Sequence, residues 1–479
     1  MKNFCIFLHR SGAEDFIGGR FDMVSMPNGS IAALLTIAHR LGVEATAIDE
    51  GWTTDFERVV FEQIENALSH DFRPWVLATV LNYNAESTLF LLSKIKAHYG
   101  EKVNTGVGGH LVRCAPRAYQ ANPIIDCVSV GDGEVTLDQM LAGKKLAVGS
   151  IYGELRRKSE WGHYAPLSYN GYLGISERLD TMEKDFHHGP FAGIRQLIAE
   201  SVRGCSWAYT TGRACDFCGL QDVLSKPVAN LAQIFEQERQ LVEQFGANWL
   251  FDVSSQWLPT LSGKEAWLTS YLTERQKFGV PKISRYCYLT SNSITESTAS
   301  LLKEAGIRIA YVGLDGWNRE TLSAHHKALP IEKCLKACKA NGIFIRTAAV
   351  VGEGATPKGL EELRSFVCSM VERYDDILIE FGCFTEVILP GSPIWARFEK
   401  QASKNGWQDI SNLYEKFYRT GFLSREEENK LSALCMEYSP SCSISFEEAQ
   451  ETERWVEQYV SENSTLAVGT TPDRRGNIR

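Results

Sequence analysis

The chain contains no apolar run approaching the roughly 20 residues of a membrane-spanning helix, so no segment of it reads as crossing a bilayer. The opening stretch, Met-Lys-Asn-Phe-Cys-Ile-Phe-Leu-His, is too short in its apolar part for a secretory signal and lacks a small-residue cleavage site. It reads instead as a first strand. Basic excess is also missing: 50 Lys and Arg face 59 Asp and Glu, and the net charge of −9 argues against general binding to a nucleic-acid backbone. A disulfide framework is absent as well, because 13 cysteines, an odd number, are scattered along the chain and fall mostly in apolar strands. These absences place the protein in a reducing cytoplasm, with neither membrane nor nucleic acid as partner.

What is present is enough for two or three domains. The chain has 479 residues, 44% hydrophobic and 23% charged, an ordinary globular composition. In the first third, short apolar runs alternate with helical patterns, the signature of βαβ units and a parallel sheet. Strands are expected at Phe4–Leu8, Glu44–Ile48, Trp75–Leu81, Val103–Gly108 and Cys127–Val130, with helices at Ser30–Leu41, Phe56–Leu68 and Ser87–Tyr99. This predicts a five-strand doubly wound, Rossmann-like domain over residues 1–150, with a ligand at the carboxyl ends of its strands. Three loops there are rich in small residues: Met26-Pro27-Asn28-Gly-Ser30, Val107-Gly108-Gly109-His110 and Val130-Gly131-Asp-Gly133-Glu134. Glycine lets a backbone approach a bulky ligand closely.

Residues 151–193, rich in Gly, Tyr, Ser and Pro, read as an irregular linker. Strand patterns then recur at Leu197–Val202, Trp249–Val253, Ile283–Leu289, Ile307–Leu314, Phe344–Val351 and Ile377–Phe381, separated by helical segments. Six such units predict a partial (β/α)6 barrel over 194–395. Residues 396–465 read as a helical extension and 466–479 as a disordered tail.

The barrel's first strand runs into Ser201-Val-Arg-Gly-Cys205-Ser-Trp-Ala-Tyr-Thr-Thr-Gly-Arg-Ala-Cys215-Asp-Phe-Cys218-Gly-Leu, which holds three cysteines within fourteen residues. Thiolates on one short loop suit an iron–sulfur cluster or zinc. A structural zinc site wants four protein ligands, whereas a [4Fe–4S] cluster on three leaves one iron open to a non-protein ligand. The spacing is C-x9-C-x2-C, its first gap six residues longer than the C-x3-C-x2-C usual in the radical S-adenosylmethionine (SAM) superfamily. The surrounding text nevertheless resembles the radical SAM enzymes that carry an N-terminal cobalamin-binding domain. The Gly108-Gly109 pair after the fourth strand and Gly131-Asp-Gly133-Glu134 after the fifth are similar to that family's cobalamin loops. Ala310-Tyr-Val-Gly313-Leu-Asp315 resembles its "GIES" strand end, and Leu389-Pro-Gly-Ser-Pro393 its "PGTP" ending.

The resemblance implies a [4Fe–4S] cluster on Cys205, Cys215 and Cys218. It implies SAM contacts from Phe217, Asp252, Ser254, Arg285 and Asp315, and cobalamin contacts from Pro27, Asn28, Gly108, Gly109, His110, Gly131 and Gly133. The family's Asp-x-His-x-x-Gly cobalt-ligand motif is absent after the first strand. The implied activity is methyl transfer to an unactivated carbon of a small molecule or peptide, using a 5′-deoxyadenosyl radical, methylcobalamin and an external flavodoxin- or ferredoxin-type electron donor. The alternatives are a cobalamin-dependent rearrangement or ring formation, a SAM-only modification of a ribosomal peptide, and a non-enzymatic zinc or redox protein.

Overall fold

Runs of apolar residues without polar alternation, such as Phe4-Cys-Ile-Phe-Leu8, suit strands covered on both faces, and each such run becomes a parallel strand. The computed structural model describes residues 2–10, 28–141, 150–152, 167–185, 192–219, 226–314 and 331–464. In the first third the strands are β1 (Lys2–His9), β2 (Glu44–Asp49), β3 (Phe72–Thr79), β4 (Asn104–Gly108), β5 (Cys127–Ser129) and β6 (Ser150–Tyr152). They form one parallel sheet in the order β2-β1-β3-β4-β5-β6. Among the described residues the sheet thus has six strands, where five were expected. The extra one, β6, is only three residues long and straddles the boundary drawn at residue 150, so no period announced it.

The order reverses between β1 and β3, which opens a crevice at the carboxyl ends of those strands, where doubly wound sheets hold their ligands. Helices Gly29–Arg40, Phe56–Ser69 and Ala85–Tyr99 cover the two faces. Asn28 starts the first of them: its side chain accepts from the Ser30 and Ile31 backbone N–H groups, an N-cap.

The stretch expected as linker is partly regular. It contains the helix Ile175–Asp185, and residues around Gly171–Leu173 pair with β2 through Ala47 N to Gly171 O (2.9 Å) and Leu173 N to Ala47 O (3.0 Å). This covers the sheet edge that β2 would otherwise leave open. The tail assigned to 466–479 lies outside the described residues.

The second sheet contains β7 (Gln196–Ala199), β8 (Trp249–Asp252), β9 (Ser284–Tyr288), β10 (Ile307–Gly313), β11 (Phe344–Val351) and β12 (Leu378–Thr385). They run in parallel in sequence order, the curved six-stranded arrangement of a partial (β/α)6 barrel. Alternate residues separate its two faces. On β9, Cys287 packs with the outer helices, whereas Tyr286 and Tyr288 belong to a core that also contains Ile31, Ala32 and Leu35 of the N-terminal unit. The helix Gly29–Arg40 thus abuts the barrel, and a Cβ on Gly29 would lie 3.1 Å from Ile198 of β7.

The C-terminal helices do more than lean on the barrel. The helix Phe446–Asn463 packs against it, while Ile394, Trp395, Phe398 and Phe417 share a core with Val80, Leu111 and Val112 of the N-terminal unit. Tyr119 donates to Gly421 O at 2.9 Å across that junction. The C-terminal region therefore brackets the two sheets together.

Candidate functional site

The cysteine loop begins where β7 ends, at the carboxyl end of the barrel, the end at which such barrels build their sites. Its first residues are pinned by the neighbouring strand. Ser254 Oγ accepts from Ser201 N (3.1 Å) and Val202 N (2.8 Å), and Asp252 accepts from the Ser201 hydroxyl and from Ser201 N (3.2 Å). Gly204, at φ +100°, then turns the chain into Cys205, which precedes a short helix, Ser206–Thr211. Cys215 and Cys218 are joined by a turn, Cys218 N donating to Cys215 O at 3.0 Å. Cys215 is buried; Cys205, Phe217 and Cys218 are half-buried.

The loop's far side is held by the rest of the molecule. Asp216 O accepts from Ile394 N at 2.9 Å, and the Asp216 carboxylate lies 3.6 Å from Arg397, which also pairs with Glu353. Gly219 lies against His110, where an added Cβ would sit 2.9 Å from the ring. His110 Nε2 in turn hydrogen-bonds Pro390 O at 2.8 Å. Burial depresses the His110 pKa, the bond to Pro390 acting the other way, which favours the neutral ring. At the loop's start, Arg203 reaches Glu134 of the N-terminal unit at 2.8 Å. Segments following strands of one sheet therefore meet segments following strands of the other, with the three cysteines between them.

Among the described residues no three or more His, Cys, Asp or Glu side chains form a group arranged to hold a metal ion, so the loop thiols are not drawn together here as ligands of a single ion. The corner thiolates of a cubane stand farther apart than the ligands of one ion, and in chemistry the three-thiol set fits a [4Fe–4S] cluster. The buried thiols elsewhere contrast with it. Burial pushes Cys5 and Cys127 up to about 12 and Cys114 to about 11, which keeps them protonated and inert.

The residues expected to contact SAM divide differently. Phe217 sits in the turn between Cys215 and Cys218. Asp315 lies outside the described residues, as does Pro27 of the cobalamin set. Asp252 and Ser254 are fully buried and spend their oxygens on the start of the cysteine loop, so they position that loop. Arg285 is the second residue of β9 and shares its register face with Cys287, toward the outer helices. There its fully buried guanidinium donates to Glu238 (2.6 Å), Asp252 (3.2 Å) and the Tyr271 hydroxyl (3.1 Å) and lies over the Trp257 ring. Burial by itself would lower its pKa, but Glu238 and its neighbours hold it above the ordinary value. Arg285 belongs to the structural layer between strand and helix.

The cobalamin set is likewise split. Asn28 is occupied as a helix cap, and its N–H donates to Asp49 (3.0 Å) and to the Tyr172 hydroxyl (2.7 Å). Gly133 opens the helix Gly133–Leu141 and allows close packing, since a Cβ there would come 2.9 Å from Leu34. Gly109 has φ +106°, and a Cβ would lie 2.7 Å from Val80 O, so backbone approach alone demands glycine. Gly108 ends β4 and Gly131 follows β5, both at the sheet's carboxyl edge.

Sequence reasoning missed a polar group in the crevice itself. His9 and Asp49, the last residues of β1 and β2, pair at 3.3 Å; His9 Nε2 meets the Tyr83 hydroxyl at 3.1 Å, and Tyr172 donates to Asp49 at 2.6 Å. The available signal was a polar residue closing each of two apolar strands. In the loop after β2, the buried Trp52 Nε1 and Thr53 Oγ1 have no hydrogen-bond partner among the described residues, donors that a polar ligand would satisfy. With the glycine-edged loops they make the crevice chemically fit for a large polar cofactor such as cobalamin. Inside the barrel, Arg346 and Glu380 pair at 2.6 Å, and the Arg346 guanidinium lies over the ring of Tyr286, which stacks on Phe251. Glu386, just past β12, is buried and accepts from Glu353 N at 2.8 Å; Gly352 leaves it room, as a Cβ there would come within 2.2 Å of it.

No family model matches the chain, and no curated protein matches it in sequence. Solved structures do match. Over 91% of its length the chain superposes on 66% of the cobalamin-dependent SAM radical enzyme OxsB, solved with aqua-cobalamin and SAM bound, at a TM-score of 0.61 and 14% identity. Over 84% of its length it superposes on 76% of the radical SAM methyltransferase TsrM from Kitasatospora setae, solved with cobalamin and a [4Fe–4S] cluster, at a TM-score of 0.57 and 15% identity. A further TsrM structure, with tryptophan substrate and a SAM analogue, gives a TM-score of 0.56 at 15% identity, over 84% of this chain and 77% of that one. The chain spans just under two thirds of OxsB's length. With a doubly wound sheet facing a six-stranded partial barrel and a helical C-terminal part across both, the chain has the fold of the cobalamin-dependent radical SAM enzymes.

Proposed function

We propose that this protein is a cobalamin-dependent radical SAM enzyme that transfers a methyl group to an unactivated carbon of a small-molecule or peptide substrate. The observation that carries the reading is the placement of the cysteine loop. It leaves the carboxyl end of β7 and is fastened on one side to Glu134 of the N-terminal unit and on the other to Pro390–Ile394 beyond β12. The three thiols thus lie where loops from both sheets meet.

Cys205, Cys215 and Cys218 would hold a [4Fe–4S] cluster, and the loops after β1, β2, β4 and β5 would hold cobalamin. Together with SAM these groups supply hydrogen abstraction and a transferable methyl group, chemistry that the protein's side chains lack. The chain's own residues orient and enclose. Asp252 and Ser254 fix the entry to the cysteine loop, and His110, held through Nε2, packs the N-terminal unit onto Gly219. Trp207, half-buried on the short helix within the expanded cysteine gap, would provide a wall that keeps water from a reactive carbon centre. An external flavodoxin- or ferredoxin-type protein would supply the electron.

The test is anaerobic reconstitution of the full chain with iron, sulfide and hydroxocobalamin, followed by quantification of each and of 5′-deoxyadenosine. About four irons and one corrinoid per chain are expected, with cluster and SAM cleavage abolished when all three cysteines become alanine. Stoichiometric zinc without iron, or a cluster without corrinoid uptake, would overturn the assignment. Transfer of the methyl group of labelled SAM to product separates methylation from rearrangement.

A further inference from the structure

Arg203 stands two residues before Cys205 and forms ion pairs with the N-terminal unit. Its backbone is fixed by the barrel side, through paired bonds with Val228: Arg203 N to Val228 O at 3.1 Å and Val228 N to Arg203 O at 3.0 Å. Its guanidinium donates to Glu134 at 2.8 Å and to Glu200 at 2.9 and 3.2 Å, and lies 3.9 Å from Asp132. Asp132 and Glu134 belong to the glycine-edged loop after β5, and Glu134 sits in the first turn of the helix Gly133–Leu141. The side chains of Arg203 and Glu134 are 14% and 10% exposed, so their attraction is little screened by solvent. Burial works against the Arg203 charge, but Glu200 and Glu134 outweigh it and hold the guanidinium ionised.

We propose that Arg203 is a positioning residue that couples the loop after β5 to the cysteine loop, so that ligand binding at one favours assembly at the other. This rests on the assignment of cobalamin to the N-terminal unit and of a cluster to the three cysteines. The physical reason is a shared element. Any shift of Asp132–Glu134 moves the carboxylates around Arg203, and only Gly204 separates that residue from Cys205. Two sites that bias one element are linked, and the linkage is reciprocal.

The experiment titrates hydroxocobalamin by absorbance into full-length protein with and without a reconstituted cluster. In the wild type the cluster should tighten cobalamin by about fivefold or more, the lower range of such couplings. In Arg203→Met the factor should fall to about one, and Arg203→Lys, which keeps the charge but not the fork, should restore part of it. Should Arg203→Met fail to assemble a cluster, Glu134→Gln removes the same contact from the other side and should also abolish the factor. The same factor in wild type and in both variants would show that Arg203 is only an internal ion pair and overturn the proposal.

Hydrogen exchange over residues 128–141, with and without the cluster, reads the coupling with no corrinoid present. Protection that rises with the cluster in the wild type but not in Glu134→Gln upholds it, even where the protein takes up no cobalamin and the functional assignment fails. No cluster-dependent change in the wild type overturns it.

Discussion

Replacing Arg285 with Met removes a fully buried guanidinium of similar length and leaves Glu238 and Asp252 in place, themselves 1% and 0% exposed. Breaking one side of a buried, hydrogen-bonded ion pair costs about 3–5 kcal/mol, because the remaining charge is buried without compensation. The geometry favours the lower end. Arg275 lies 3.8 Å from Glu238, Tyr271 donates to it at 3.1 Å, and Asp252 still accepts from Ser201 and Ser254. A loss of about 3 kcal/mol, at an m-value of about 3 kcal/mol per molar urea, lowers the barrel's unfolding midpoint by about 1 M. The assay is urea unfolding followed by near-ultraviolet circular dichroism, beside SAM binding to cluster-reconstituted protein below the transition. SAM affinity should stay within about twofold of wild type, because the guanidinium faces the outer helices. Glu238→Gln in the Arg285→Met background should recover part of the stability by removing one stranded charge. An unchanged midpoint with a tenfold loss of SAM affinity would refute the reasoning and put Arg285 at the cofactor.

Burial raises the Glu386 carboxyl from its ordinary 4.5 to about 7, partly offset by its bond from Glu353 N. The folded state therefore binds this proton more tightly than the unfolded chain, so stability falls as pH rises from about 4.5 to 7 and is flat beyond; Glu386→Gln should flatten that slope, worth on the order of 3 kcal/mol, in urea midpoints at pH 5 and pH 8. Gly109→Ala forces a side chain into φ +106° and against Val80 O, so a loss of about 2–3 kcal/mol is expected, read as a lower urea midpoint, whereas an unchanged midpoint would contradict the backbone geometry. Trp207→Ala should retain its full complement of iron while product is lost and 5′-deoxyadenosine is still formed; an unchanged ratio of the two would make the expanded loop a structural lid only.

The parallel sheets were legible because their strands carry near-continuous apolar runs and the intervening helices a 3.6-residue period. Phe344–Val351 was read to the residue, and among the helical segments Leu231–Phe245 is bounded in the fold by Asn230 as N-cap and Gly246 as terminator. The cysteine loop was legible for a different reason: thiols three residues apart in an exposed-type segment are chemically conspicuous wherever the chain goes. The short β6 and the helix Ile175–Asp185 were not, since three residues show no period and the helix sits among turn-forming residues.

The roles of single polar side chains belonged to the tertiary structure. Arg285 was expected at SAM from sequence, and in the fold pleating sends it, the second residue of β9, to the outer face, where Glu238 from a helix some 47 positions earlier meets it. Asp252 and Ser254 were read as SAM contacts, yet their partners, Ser201 and Val202, are about 50 positions distant and adjacent only because β7 and β8 pair. His9, Asp49, Tyr83 and Tyr172 carry no motif and meet because the sheet order reverses at β1. Apart from β6 and the helix Ile175–Asp185, local sequence alone determined the strands, the helices and the thiol-bearing loop, since each depends on residues a few positions apart. Which charges are buried as partners and which loops meet across the two sheets was decided by packing, because those contacts join residues whose separation in the chain no local pattern encodes.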